Sequence, residues 1–267
     1  MKGDVDLAFE TFLHSLDFAK KIGDSTTVLN TLLNIGVMYD NTGDYKNCLN
    51  YYLEALNYAD EDDKASLALL QSYIAEVYLS LKDFGKAENY IKLAMENSRA
   101  TGDSKSLIWA YSNLGFLESE KKNLLAAEEY FKESLKIARK TDYKLEIIHS
   151  LTDLGKFYNN INNLTESEKY LTEASHLAEE LKSISDLSII YGEFASLYSK
   201  NQNFKKAYEY NKKYKQYSDS LYIISNSEKI AELQTKYDLK QKDREASLLK
   251  LENELQKKVI YSQKIIA

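Results

Sequence analysis

A spacing of about 40 residues repeats along this chain and restricts what it can fold into. Small residues recur at Gly36, Ala75, Gly115, Gly155 and Ala195, in steps of 39, 40, 40 and 40 residues. An aromatic residue follows three positions later in four of the five copies, and apolar residues recur at fixed offsets further along. Because a unit of this length cannot bury its apolar face alone, the spacing predicts an array of stacked, similar units.

The pattern inside each copy is helical. Two apolar segments of about 15 residues have the three-to-four spacing of an amphipathic helix, and a short polar turn such as that at 121–123 separates them. The 267 residues include no proline and only nine glycines, so helices can follow one another without a breaker, whereas turn-dense β-sandwiches are disfavoured. The predicted fold class is therefore all-α, built from antiparallel helix hairpins.

The charge and hydropathy of the chain limit its partners. A formal net charge of −6 gives no overall basic field that would attract nucleic acid or anionic lipid. The sequence contains no apolar run of the length that crosses a bilayer. We therefore expect no nucleic-acid partner and no direct membrane insertion by this chain.

Four segments carry the repeat most clearly: LLNIGVMY at 32–39, YSNLGFLE at 111–118, LTDLGKFY at 151–158 and YGEFASLY at 191–198. They resemble helix A of the tetratricopeptide repeat (TPR), whose hairpin consists of a first helix, A, and a second helix, B. The resemblance implies a right-handed superhelix of antiparallel hairpins, and the 40-residue period is similar to the longer-helix TPRs of kinesin light chains and cell-polarity adaptors. The proline that ends helix B in the family is missing from every copy, so we expect other helix stops, with Gly23 and Gly102 near C′ positions.

The repeat divides the chain into a solenoid and a tail. We expect the solenoid at residues 1–219, with five full repeats at 25–219 and a helix B without its helix A partner at 3–22. Since that partner is missing, we expect Met1 to begin a fragment of a longer protein. Residues 220–267 are predicted to form one long charged helix, whose narrow apolar stripe allows a coiled coil and a homodimer through residues 221–262. The alternative is a helix that caps the last repeat and then frays.

The tail has a resemblance of its own. The segments at 218–221 (SDSL) and 230–245 (IAELQTKYDLKQKDRE) resemble the junction that follows the TPRs in a group of bacterial membrane-anchored regulators. In that group, a charged helix leads into a transmembrane segment and then into a histidine kinase or a DNA-binding output domain. The resemblance implies a sensory or partner-binding region on the periplasmic side of the membrane, with a cytoplasmic location as the alternative.

Motifs that would indicate catalysis are absent from the sequence: GxxxxGK[ST], GxGxxG, HExxH and CxxC do not occur. The three histidines lie in different copies without an i,i+4 histidine partner, which argues against a metal site. We therefore predict a protein that is not an enzyme and has no cofactor, no metal and no catalytic residue.

Binding is the expected chemistry of a solenoid, in which stacked A helices line a concave surface. The resemblance to peptide-binding TPRs places a groove at the helix A positions that do not pack against helix B. These positions predict that a protein or peptide ligand contacts Asn30, Asn34, Val37, Tyr73, Glu76, Trp109, Asn113, Phe116, His149, Asp153 and Lys156.

Two features of this set have alternative interpretations. Asn34, Asn113 and Asp153 occupy equivalent positions and could pair with an extended peptide backbone, or could bond to the adjacent helix. The aromatic residues of the set could form a binding patch, or a packed contact between helices.

The predicted function is recognition of a protein or peptide in the groove, transmitted by a change of superhelix pitch or dimer geometry. Two rivals remain open, namely a cytosolic scaffold for protein complexes and a peptide-pheromone receptor with phosphatase or anti-activator activity. A clamp for the C-terminal tail of a chaperone is excluded, because Lys156 is almost alone as a cation among the groove positions.

Overall fold

The computed structural model describes residues 2–221, which form only helices and turns. The helices with both ends in this range are α1 (Lys2–Ile22), α2 (Ser25–Asn41), α3 (Tyr45–Leu56), α4 (Lys64–Ser80), α5 (Phe84–Thr101), α6 (Ser104–Glu120), α7 (Leu124–Thr141), α8 (Lys144–Asn160), α9 (Leu164–Glu180) and α10 (Ile184–Lys200). A further helix, α11, begins at residue 204 and is described to residue 221. From residue 222 onward, the predicted charged helix and its predicted dimer contact lie outside the described residues.

The helices pair as the repeat predicts. The pairs α2–α3, α4–α5, α6–α7 and α8–α9 are hairpins, and α1 packs against α2 in the manner of a preceding helix B. The A helices α4, α6, α8 and α10 also contact one another in chain order and so form one face. The described residues up to Tyr217 make one compact unit. The predicted all-α array of hairpins is confirmed.

The small residue of helix A marks the closest approach within a hairpin. A methyl group added at Gly36 would lie 2.2 Å from the ring of Tyr52, and one added at Gly115 would lie 2.7 Å from the ring of Phe131. Both rings are fully buried. Since a buried ring cannot move aside without displacing its neighbours, this contact fixes how closely helices A and B lie.

Tyrosines recur because they stack in pairs across the hairpins. Rings 12 residues apart have centroids 5.4–5.6 Å apart in Tyr39–Tyr51, Tyr78–Tyr90, Tyr158–Tyr170 and Tyr198–Tyr210. In the third repeat Glu118 replaces the tyrosine and instead pairs with Lys121. The Tyr158 hydroxyl also donates to Glu128 of the preceding repeat at 2.8 Å. The pairs therefore join helices within a repeat, and the hydroxyls of Tyr158 and Tyr198 also reach the preceding repeat.

Most helices end at a residue in the left-handed backbone conformation and not at a proline. Gly23 and Gly102 have φ of 74° and 70°, which confirms the predicted helix stops. Side-chain-bearing residues adopt the same conformation at Lys82, Lys122, Asp142, Asn162, Lys182 and Gln202. The following residue donates its N–H to a carbonyl five residues back, as Asn123 does to Glu118 at 2.8 Å. This hydrogen bond closes a Schellman motif and satisfies the helix end.

Gly115→Ala is expected to lower the free energy of unfolding by about 1–3 kcal/mol, because the added methyl group overlaps the buried ring of Phe131. Gly85→Ala is the matched control, since this helical glycine has open space around its Cα. The control should raise the free energy of unfolding by about 0.5–1 kcal/mol. Urea denaturation measures both, and an unchanged midpoint for Gly115→Ala would contradict the proposed limit on helix approach.

Lys122→Gly is expected to raise the free energy of unfolding by about 0.5–1 kcal/mol. The left-handed conformation of Lys122 costs about 1–2 kcal/mol, and the greater freedom of glycine in the unfolded chain offsets about 0.5–1 kcal/mol of the gain. Gly102→Ala, at an equivalent helix end, should change stability in the opposite direction. Thermal unfolding compares the two variants, and a destabilised Lys122→Gly protein would be the contrary result.

Candidate functional site

An open cavity of about 230 Å³ lies on the face formed by the A helices. Helices α4, α6 and α8, one from each of three successive repeats, provide most of its lining. The cavity brings together seven of the eleven predicted groove residues: Glu76, Trp109, Asn113, Phe116, His149, Asp153 and Lys156.

The other four predicted residues do not line this cavity. Asn30, Asn34 and Val37 are exposed on α2, one repeat closer to the N terminus. Tyr73 contacts Trp109 instead, with ring centroids 5.4 Å apart in an edge-to-face arrangement. The residues on α2 therefore belong to a separate part of the A-helix surface.

Trp109 and Phe116 supply the apolar wall of the cavity. Both are partly exposed, and both pack against the hydrophobic core. Phe116 meets the buried ring of Phe131 edge to face, with centroids 5.0 Å apart. Each ring therefore packs against protein and also borders the cavity, and its role in binding stays a prediction.

Polar side chains on the cavity floor link neighbouring A helices. Asn113 is 6% exposed, and its Nδ2 donates to the Ser72 carbonyl of α4 at 3.1 Å. Ser112 of α6 donates to Oδ2 of Asp153 on α8. The helix-bonding alternative thus describes part of each side chain. Within residues 2–221, no group donates to Oδ1 of Asn113 or to Oδ1 of Asp153.

The carboxylate of Glu76 has a raised pKa. Desolvation raises the pKa of Glu76 to about 7, the charges of Asp40 and Asp153 add to this shift, and Lys156 opposes it. The residue is exposed to solvent at the cavity, although nearby protein atoms raise the pKa of its carboxylate. Over the described range, Glu76 has no hydrogen bond and no ion pair.

Two further groups share this electrostatic environment. Desolvation also raises the pKa of Asp153, and the nearby Lys156 opposes the shift. Burial raises the pKa of Asp40 on α2. Lys156 itself makes no ion pair within the part of the chain that the structure covers. The cavity therefore combines two carboxylates of raised pKa, Glu76 and Asp153, with Lys156, a cation that forms an ion pair with neither of them.

Two polar side-chain contacts join α8 to its neighbours. His149 Nε2 lies 3.2 Å from Oδ1 of Asp186 on α10, and this hydrogen bond raises the pKa of His149 against the effect of desolvation. Lys105 of α6 lies 3.1 Å from the buried carboxylate of Glu146 on α8. His149 is therefore engaged by α10, although its ring also borders the cavity.

Four lining residues were not among the predicted set. Ser112 occupies a groove position of helix A, whereas Ile108, Ser134 and Ser150 come from positions assigned to packing. Ser134 donates to the Ile108 carbonyl at 3.1 Å and lies 3.0 Å from the Ser150 hydroxyl. A signal was present in the sequence, because Ser134 stands where three other copies have alanine.

Three further observations on residues 2–221 concern metal ligands, membrane spans and the one cysteine. No group of three or more His, Cys, Asp or Glu side chains in that range could hold a metal ion. None of the helices described is long and apolar enough to span a membrane. Burial raises the pKa of the Cys48 thiol to about 12, so it stays protonated at neutral pH.

Comparisons with known proteins agree with the helical fold. Two family models match, each described as a tetratricopeptide repeat, one over residues 29–62 and one over residues 66–140. No curated protein matches the sequence. Among solved structures, BtubC from P. vanneervenii is similar at a TM-score of 0.61 and 18% identity, over 81% of this chain and 92% of that chain.

Two solved regulators have a similar fold. A Rap protein complexed with Competence and Sporulation Factor has a TM-score of 0.63 and 17% identity, over 80% of this chain and 65% of that chain. The quorum sensor NprR from B. thuringiensis, in its apo form, has a TM-score of 0.57 and 20% identity, over 82% of this chain and 61% of that chain. The chain thus spans less than two thirds of either regulator.

Sequence identities of 17–20% show only that these solved structures have the same fold as this chain. The evidence for the repeats comes from the two family models. Residues 29–62 and 66–140 match tetratricopeptide-repeat models, and the described chain has the fold of a TPR-type solenoid.

Proposed function

We propose that this chain is a non-enzymatic module that binds a peptide, or an extended segment of a protein, in the cavity bordered by α4, α6 and α8. The observation that carries the proposal is the convergence of an aromatic wall and uncommitted polar groups from three repeats. A concave, largely apolar site with a few convergent polar groups is the usual form of a ligand site.

The dimensions of the A-helix face suit an extended peptide. Neighbouring helices lie about 8–10 Å apart, so three of them present a face roughly 20 Å wide. An extended chain rises about 3.3 Å per residue, so such a face accommodates about six residues. Trp109 and Phe116 are suitable anchors for an apolar side chain, because large aromatics dominate the binding energy at many interfaces.

The fold neighbours support a role in regulation. The Rap protein was solved as a complex with Competence and Sporulation Factor, and NprR is a quorum sensor. We infer that this chain is the sensory or partner-binding region of a bacterial signal-transduction regulator. Placement on the periplasmic side of a membrane-anchored regulator rests on the resemblance of the tail segments at 218–221 and 230–245.

Trp109→Phe is expected to weaken peptide binding at least about tenfold, which corresponds to about 1.4 kcal/mol, because the smaller ring leaves part of the wall uncovered. Peptides selected from a phage-displayed random library against the wild-type protein serve as ligands, and fluorescence anisotropy measures their affinity. Tyr111→Phe is the matched control, since Tyr111 lies two residues away and packs against Tyr130 outside the cavity. Failure to select any peptide, or equal affinity for Trp109→Phe and wild type, would contradict the proposed site.

Glu76→Gln is expected to raise the melting temperature of the ligand-free protein more at pH 8 than at pH 5. The pKa of Glu76 is about 7 in the folded protein and ordinarily 4.5, so the folded state binds more protons between these values. The free energy of unfolding therefore falls as pH rises from 4.5 to 7. Above pH 7, ionised Glu76 destabilises the folded protein by its full amount. Circular dichroism at both pH values measures the difference, with Glu120→Gln at the exposed end of α6 as control. A gain of equal size at both pH values would refute this account.

A further inference from the structure

The charges around the cavity indicate which part of a ligand it recognises. We propose that the cavity binds a positively charged group of its ligand, a primary ammonium or a guanidinium, between the carboxylates of Glu76 and Asp153 and beside Trp109. This inference rests on the function proposed above and specifies the chemistry of the ligand.

The two carboxylates come from opposite walls of the cavity. Glu76 belongs to α4 and Asp153 to α8, and α6 lies between these helices and contacts both. Glu76 has no partner in residues 2–221, and Asp153 uses only Oδ2, which accepts from Ser112. A cation in the cavity would find free carboxylate oxygens on both sides, and a charge-assisted hydrogen bond to a carboxylate is among the stronger ones in proteins.

The A-helix face carries further negative charges on both sides of Glu76 and Asp153. Asp40 on α2 acts on Glu76, and Glu193 on α10 acts on Asp153, so carboxylates extend to both sides of the cavity. Two cationic groups oppose them. Lys156 lies within range of both acids but forms no ion pair within 4.0 Å in the described chain, and His149 is hydrogen-bonded to Asp186. The resulting field favours a cationic ligand over an anionic one.

The cavity also suits the neutral parts of a basic side chain. The aliphatic stem of lysine or arginine can lie along apolar surface while its charge stays at the polar end. Trp109 and Phe116 provide such a surface. A cation near an indole ring gains further attraction from the π system. Asn113 Oδ1, which accepts no hydrogen bond from residues 2–221, is available to a backbone N–H or to an ammonium group.

The test uses the full 267-residue chain and a positional-scanning library of hexapeptides with acetylated N termini and amidated C termini. Trp109 is the only tryptophan of the sequence, so its emission reports binding at the cavity directly. We expect pools with lysine or arginine at one defined position to bind at least tenfold more tightly than pools with norleucine or glutamate there. A parallel library with free N termini distinguishes a terminal ammonium from a side-chain cation as the source of the charge.

Charge-removing variants make the test specific. The double variant Glu76→Gln/Asp153→Asn is expected to lose most of the tenfold preference while still binding the norleucine pools. The control Glu120→Gln removes a charge from the exposed end of α6, outside the cavity, and should keep the tenfold preference. A preference for acidic or uncharged residues in the wild type would overturn the inference and leave peptide binding intact. Tryptophan emission that responds to no pool would overturn the proposed function as well.

A pH series gives an independent readout. Glu76 interacts with Asp40 from α2, with Cys48 from α3 and with Asp153 and Lys156 from α8, and His149 of α8 acts on Asp153. Helix α6 places only uncharged side chains in the lining. As pH falls from 8 to 6, Glu76 takes up a proton and His149 gains positive charge. Both changes oppose a cationic ligand, so the affinity of an acetylated lysine peptide should fall up to about tenfold. Glu76→Gln should flatten this dependence, and an affinity that rises toward pH 6 would contradict the inference.

Discussion

The contact between a small residue of helix A and a large side chain of helix B underlies the rest of this structure. Where Gly115 faces Phe131, the two helices close and a fully packed hairpin results. The fifth repeat shows what happens when the pair changes. Asn211 stands where the other copies have a large apolar residue, and an open cavity of about 630 Å³ lies between α10 and α11, with Ala195 and Asn211 in its lining. The rings of Phe194 and Tyr210 still stack, with centroids 4.5 Å apart, so the changed pair leaves a local cavity within a packed hairpin.

Once hairpins stack, the A helices lie side by side and their remaining positions have two roles. Asn113 holds α6 to α4 through one end of its amide, and Asp153 holds α8 to α6 through one carboxylate oxygen, while the other ends border the cavity. Glu76 makes no such bond in the described chain and has a raised pKa. A group that costs stability in the ligand-free state is typical of a site maintained for binding, since function and stability often compete.

The repeat spacing predicted the hairpins because the residues that pack helix A against helix B recur at the same positions in each repeat. It could not predict how one A helix is rotated against the next, and that rotation decides which groove positions converge. Glu76, Trp109 and Asp153 meet at one cavity, whereas Asn34 on α2 does not reach it. Left-handed turns at residues such as Lys122 were also missed, because lysine carries no preference for that conformation and is held there by the flanking helices.

The Schellman turns that replace the family proline have a consequence for how fast the chain reaches its folded state. Isomerisation of X–Pro bonds takes tens of seconds or more and often limits refolding. The sequence has no proline, so this slow step has no bond on which to act. Most inter-helix contacts in the solenoid also join helices adjacent in the chain, and local contacts favour rapid folding. The same residues that end each helix thus leave the solenoid free to re-form without waiting for a peptide bond to rotate.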